Sequence, residues 1–315
     1  TQGNVMSDTI SGLRRKIRGA GDLQSVVRTM KALAASSIGQ YEQSVNALAD
    51  YARTVEQGLS VCFRTDPPVG IMGEQKEKTH PGPIGAIVFG SDQGLVGQFN
   101  EVVADFAVKT LAARPGHHSL WAVGERMQTR LADTGLSLRG FFPVPNSVKA
   151  ITPLVGTIIL ESEAAHSRET IHELHLFYNR PTSRANYTPV NQRLLPLDET
   201  WQRELAIFPW PTRNLPEVIG NEAATLRTLI HEYLFISLFR ACAESLASEN
   251  ASRLTAMQRA EKNIDELLKD LNRDFHQLRQ RDIDEELFDV ISGFEALANK
   301  PAATECHAGE SHIEQ

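Results

Sequence analysis

Gly90, Gly94 and Gly97 punctuate a short stretch that follows the apolar run Ile84–Phe89. Glycines between a strand and a helix can press backbone amides against a pyrophosphate. The dinucleotide fingerprint needs G-x-G-x-x-G, whereas the spacing here is G-x-x-x-G-x-x-G. No G-x-x-x-x-G-K-[ST] occurs anywhere in the chain. The glycines therefore read as a tight strand-to-helix turn, not as a phosphate cradle. The histidines His117, His118, His172, His175, His231 and His276 are scattered. His172 and His175 lie at or beside a strand, where an offset of three points side chains to opposite faces, so they share no metal. Cys62, Cys242 and Cys306 are far apart, with neither metal-ligand spacing nor a disulfide framework. Cys306, His307 and His312 fall in a polar C-terminal stretch that is a poor zinc candidate. No G-x-S-x-G or H-E-x-x-H is present. The sequence offers no catalytic constellation, and no cofactor, metal or substrate of its own is expected.

Composition narrows the classes further. The 315 residues are 41% hydrophobic and 23% charged, which excludes collagen-like and wholly disordered chains. The net charge of −7 argues against a protein built to grip nucleic acid. No apolar run reaches the roughly 18 residues of a membrane span. A soluble protein, at most peripheral to a membrane, is expected.

The elements follow from the prolines. None occurs before Pro67 and none between Pro216 and Pro301. A proline inside a helix costs about 3 kcal/mol, so both ends of the chain permit long helices. Ile38, Tyr41, Val45, Leu48, Ala52, Val55, Leu59 and Cys62 step by threes and fours, the seam of a coiled coil. Leu13, Ile17, Ala20, Val27, Met30 and Ala34 continue it less regularly, and Gly19 and Gly21 suggest a break with a restart capped by Asp22. At the other end the stripe runs Met257, Ala260, Ile264, Leu267, Leu271, Phe275 and Leu278. It skips across Arg279-Gln280-Arg281 to Ile283 and resumes at Leu287, Val290 and Phe294. A continuous helix there would be roughly 120 Å long and would want a partner along its seam. The basic Arg14, Arg15, Lys16, Arg18, Arg28 and Lys31 are expected to face the acidic Asp282, Asp284, Glu285, Glu286, Asp289 and Glu295. Between the helices, strands near 84–90, 120–123, 138–142, 174–178 and 190–195 alternate with helices near 103–111, 125–133 and 151–167. The reading is an α/β, Rossmann-like domain inserted between two long terminal helices that form an antiparallel coiled coil. Its parts are an N-terminal helix at 7–62, a linker at 63–83, the α/β domain at 84–216, a C-terminal helix at 217–299 and a flexible tail at 300–315.

Three segments carry a family resemblance. Ser248-Glu-Asn-Ala-Ser-Arg-Leu-Thr-Ala-Met257, with Asn263, Leu278-Arg279-Gln280, Ile283, Glu286-Leu287 and Ile291-Ser-Gly293, resembles the C-terminal signature of the gamma subunit of F-type rotary ATP synthases. Leu13–Arg18 and Thr29–Ser36 are similar to that family's first helix. Gly90-Ser-Asp-Gln-Gly-Leu-Val-Gly-Gln-Phe-Asn100 is similar to its signature loop, with Gly90, Asp92, Gly94, Gly97 and Asn100 in matching places. Gln93, Val96 and Gln98 stand where the family usually has Arg, Cys and Gly, and Arg281, Asp282 and Asp284 replace small residues and a Thr. Such departures resemble a divergent, alternate-complex branch.

The resemblance implies a non-catalytic central-stalk rotor that transmits torque between a membrane ring and a hexamer. Implied partners are the alpha and beta subunits, the epsilon subunit and the membrane c-ring, with no nucleic acid. It implies a place peripheral to the cytoplasmic face of the inner (plasma) membrane. Met30, Lys31, Arg279 and Gln280 are the implied contacts to alpha and beta. The residues alone leave two rivals open: a non-motor coiled-coil scaffold with an α/β head, and a nucleotide-using α/β enzyme.

Overall fold

A computed structural model describes residues 9–65, 82–168, 171–182, 186–197, 199–207, 210–212, 214 and 216–298. Most of the expected linker and the whole expected tail lie outside the described residues. The described residues form two compact units, one of 9–26 with 261–298 and one within 27–260. Two helices contribute to both: α1, Ile10–Thr65, and α6, Glu222–Ala298.

The larger unit is built on five strands: β1 (Ile84–Phe89), β2 (His118–Val123), β3 (Ser137–Phe142), β4 (Glu173–Thr182) and β5 (Asn186–Leu195). Their order is β3-β2-β1-β4-β5. The first four pair in parallel and β5 pairs antiparallel with β4. Central β1 is buried along its whole length, as its unbroken apolar run requires of a strand covered on both faces. Edge strand β3 alternates between exposed and half-buried positions until Phe142.

The crossovers are α2 (Phe99–Ala112), α3 (Glu125–Ala132) and α4 (Val148–Ser167). Right-handed connections that step one way from β1 to β3 and then return to β4 must put helices on opposite faces. Accordingly Ile84, Ala86 and Val88 pack with Val103, Leu111, Met127 and Leu131 on the α2/α3 face. Ile87, Phe89, Trp121 and Val123 pack on the other face with Ile151, Val155 and Ile158 of α4 and with Leu238, Cys242 and Leu246 of α6. Pro153 sits inside α4 and gives up one backbone donor there without ending the helix.

A helix absent from the sequence expectations, α5 (Glu199–Ala206), closes a third cluster. Its Trp201 meets Phe63 of α1 edge-on at 5.6 Å and donates from Nε1 to the Tyr233 hydroxyl of α6 at 3.1 Å.

In the smaller unit, α1 and α6 lie antiparallel. The Arg14 guanidinium stands 5.4 Å from the Phe275 ring centre. Gln24 Nε2 donates to Asp265 Oδ1. Ten residues separate these positions on each helix, so the two helices keep step. Leu13 and Ala20 are the buried apolar contacts.

Three expectations fail here. The first helix does not restart at Asp22; it runs unbroken through Gly19 and Gly21, because its buried side continues across them. Nor do the charge clusters meet. The register puts Arg14 opposite Phe275, and every residue from Arg279 to Glu295 is exposed. The seam does not skip at Arg279; α6 there runs past the described start of α1 at Ile10.

Candidate functional site

Sheets of this strand order take ligands at the switch point, where the chain leaves β1 on one side and returns as β4 on the other. The site lies outside the carboxyl ends of those two strands. Here the loop after β1 and the end of β4 accept hydroxyl groups from α6.

Ser248 Oγ of α6 donates to the carbonyl oxygen of Asn179 in β4 at 2.9 Å. One turn further along α6, Ser252 Oγ donates to the carbonyl oxygen of Val96 in the loop after β1. Asn179 Nδ2 donates to the carbonyl oxygen of Phe99 at 2.9 Å and so ties β4 to the first turn of α2. Ser248 and Asn179 are almost wholly buried. Serines four apart share a helix face, so both hydroxyls point at the same end of the sheet.

The loop itself is stiff, and the signature residues show why. Asn100 Oδ1 accepts from Ser91 N at 3.0 Å, while its Nδ2 donates to Ser91 Oγ at 2.8 Å. Asp92 splits its carboxylate: Oδ1 accepts from Glu125 N at the start of α3, and Oδ2 accepts from Val144 N after β3. A Cβ at Gly90 would lie 2.5 Å from Met127 Cβ and 2.7 Å from Asn100 Oδ1, so only glycine fits. Gly97 has φ +58 and passes Ser252 Oγ. Gly94 is uncrowded, with Arg126 Nη2 3.7 Å from a built Cβ. All five signature residues thus shape or border one turn. None of them points a free polar group into an open cleft.

Beside this joint, Glu244 is buried and accepts two arginines. Arg180 Nε of β4 donates to Oε2 at 3.0 Å, and Arg240 Nε donates to Oε1 at 2.8 Å. Arg180 Nη2 also donates to the Tyr178 hydroxyl at 2.6 Å. Glu249 is buried on the neighbouring face of α6 and accepts from Arg253 Nη2 at 2.6 Å. Burial pushes the Glu249 carboxyl above the ordinary range, Arg253 pulls it back, and the Asp92 carboxylate adds to the rise. Burial likewise raises the Tyr41 hydroxyl of α1, with Glu249 adding to it. Burial holds the Cys242 thiol far above the usual cysteine value, so it stays protonated and inert.

His175 is buried in β4, with Nδ1 2.9 Å from Asn191 Oδ1 and Nε2 3.1 Å from both Arg114 Nη1 and Glu173 Oε2. Among the described residues no three His, Cys, Asp or Glu side chains could hold a metal. No described helix is long and apolar enough to cross a membrane.

The expected contact residues fall in two places. Met30 and Lys31 are half-buried on α1, beside buried Ala34. Arg279 and Gln280 are exposed on α6 and pair with no described residue. Beyond them Ile283, Leu287, Phe288, Val290, Ile291 and Phe294 stand bare, Phe294 at 76% exposure. Six large apolar side chains on four turns of one helix form a patch that an isolated soluble helix does not need.

The anchor residues Ser248, Ser252 and Asn179 were not singled out by role in the sequence. The available signals were the family-like segment Ser248–Met257, which holds both serines, and Asn179, a polar residue that follows the strand run Leu174–Tyr178.

A model of the ATP synthase family matches residues 9–297. The chain is 27% identical to an ATP synthase gamma chain of Mycolicibacterium paratuberculosis, over 93% of this chain and 99% of that one. It is also 27% identical to an ATP synthase gamma chain of Moorella thermoacetica, over 90% and 98%. Among solved structures, a chain of the Euglena gracilis mitochondrial ATP synthase (OSCP/F1/c-ring, rotational state 3) shares the fold with a TM-score of 0.61 at 15% identity. That match covers 96% of this chain and 99% of the other. A chain of the Tetrahymena thermophila central stalk/c-ring structure gives 0.55 at 21% identity, over 75% and 99%.

Proposed function

The chain belongs to the gamma-subunit family of ATP synthases, and on that premise we propose that it works as the turning shaft of such an enzyme. It is a non-catalytic subunit of the central stalk. The observation that carries the proposal is the bare end of α6. A single helix continues from the joint on the sheet to a stretch, Arg279–Glu295, in which every side chain is exposed and many are apolar. Such a surface is made to be surrounded.

The surrounding partners are the alpha and beta subunits, with Arg279 and Gln280 as polar contacts and Met30 and Lys31 as contacts from α1. The α/β domain meets the epsilon subunit and the membrane c-ring. The complex sits at the cytoplasmic face of the inner membrane. The mechanism is differential contact. An asymmetric shaft shows a different face to each of three catalytic interfaces and so favours a different conformation in each. Contacts must be weak, since each 1.4 kcal/mol of extra grip at one angle slows escape about tenfold. Exposed polar pairs, near 1 kcal/mol or less, suit a bearing.

Co-expression with alpha and beta subunits tests this. The expected product is a complex of three alpha, three beta and one copy of this chain, with ATPase activity that the chain lacks alone. A stable homodimer that ignores alpha and beta would overturn it.

A further inference from the structure

The same serines that fill the switch-point crevice have a mechanical consequence. A helix held on a sheet by apolar contacts alone can roll or slide by small steps, because dispersion is non-directional. Hydrogen bonds are directional and weaken steeply as their angle opens. Ser248 and Ser252 lie on one face of α6 and reach two different backbone segments, the end of β4 at Asn179 and the loop after β1 at Val96. The two accepting segments are themselves tied together by Asn179 Nδ2 on the Phe99 carbonyl. The loop is braced by Asn100 on Ser91 and by Asp92 on Glu125 and Val144. One turn before Ser248 on the same face of α6, Glu244 links the helix to β4 through Arg180.

We infer that Ser248 and Ser252 are a rotational lock, the joint through which torque about the α6 axis passes into the backbone of the sheet. The inference rests on the shaft reading above and deepens it. The serines are positioning residues and touch no nucleotide. Rolling or sliding α6 on the sheet would break both bonds together and leave the Asn179 and Val96 carbonyl oxygens without these donors. The lock therefore resists twist, which is the load that a shaft carries. The five signature residues acquire a common purpose in this arrangement. They hold the Val96 carbonyl still for a hydroxyl that arrives from another part of the chain.

Two measurements test the lock, and they fail separately. The first uses the full chain alone and follows hydrogen exchange at the amides of residues 91–99. Ser252→Val keeps the branched shape of threonine but has no hydroxyl, so exchange there is expected to quicken by about twofold to tenfold. Ser252→Thr restores the hydroxyl and the slow exchange. The second uses the assembled enzyme. Ser252→Val, and independently Ser248→Ala, are expected to leave ATP hydrolysis intact while ions moved per ATP fall severalfold; Ser252→Thr moves ions as the wild type does. Wild-type exchange and wild-type ion movement in Ser252→Val would overturn the lock. Failure of the unaltered chain to assemble would refute the shaft reading alone, and the exchange comparison would still decide the joint.

Discussion

Arg14 of α1 holds its guanidinium 5.4 Å from the ring centre of Phe275 on α6, while its own surface faces solvent. A cation over an aromatic face at an exposed site contributes about 0.5–1 kcal/mol. A double-mutant cycle of Arg14→Ala and Phe275→Leu, read by denaturant unfolding of the full chain, is expected to return a coupling in that range. A coupling of zero would mean that the two side chains merely pass each other.

Gly90 leaves no room for a methyl group, with Met127 Cβ at 2.5 Å and Asn100 Oδ1 at 2.7 Å from where it would sit. Gly90→Ala is expected to cost about 1–3 kcal/mol of stability, since Met127 is anchored in the core and Asn100 is held by Ser91. Gly94→Ala, where the nearest atom is a mobile arginine tip at 3.7 Å, is the control and should cost far less. Equal melting temperatures for the two variants would refute the crowding argument.

Arg279 and Gln280 predict a split result. Both are exposed and bound to nothing described, so the change of both to alanine should leave unfolding of the free chain within about 0.5 kcal/mol. In the assembled enzyme the same change should lower ATPase turnover. If Arg279 makes the proposed contact, its exposed charge is screened by salt, so the wild type should itself lose turnover as ionic strength rises and the variant should lose less. Wild-type turnover and coupling in the double variant would remove these residues from the bearing.

Glu249 predicts a pH dependence. Its carboxyl titrates above the ordinary range in the folded chain because of burial. The folded state therefore holds this proton more tightly than the unfolded state. The stabilisation is fully present below the ordinary carboxylate value and is lost as pH rises through the raised one. Glu249→Gln cannot titrate. Measured against that variant, the wild type should lose stability as pH climbs from about 4 upward. A difference between the two that stays constant across that range would show that Glu249 titrates normally.

The sheet was readable because its central strand is covered on both faces and so carries an unbroken apolar run, Ile84–Phe89. The long helices were readable from the absence of proline and from the stepping of Tyr41, Val55 and Leu59, all of which are buried. The first helix looked broken near Asp22 because local propensity penalises Gly19 and Gly21, and packing of Ala20 and Leu13 outweighs that cost. Gln24 escaped notice because a polar residue on a seam breaks an apolar pattern even when, as here, it bonds across to Asp265. Opposite charge suggested a pairing that the register forbids, since exposed ion pairs are too weak to set a register against apolar contacts. The two turns of α5 were too short for periodicity to show, though Trp201 and Leu205 are spaced for one face. The joint was least legible. Ser248 and Ser252 bond backbone carbonyls, and a carbonyl has no residue type to read.

The bare end of α6 bears on what becomes of a copy made in excess. Without a surrounding partner, Ile283, Leu287, Val290 and Phe294 would meet water and then each other, as exposed apolar patches do. The same turns carry Asp282, Asp284, Glu285, Glu286, Asp289 and Glu295. Like charges on these turns work against clustering of the stripe between copies. The acidic residues share their turns with the apolar stripe, so a second copy that meets the stripe meets that charge as well.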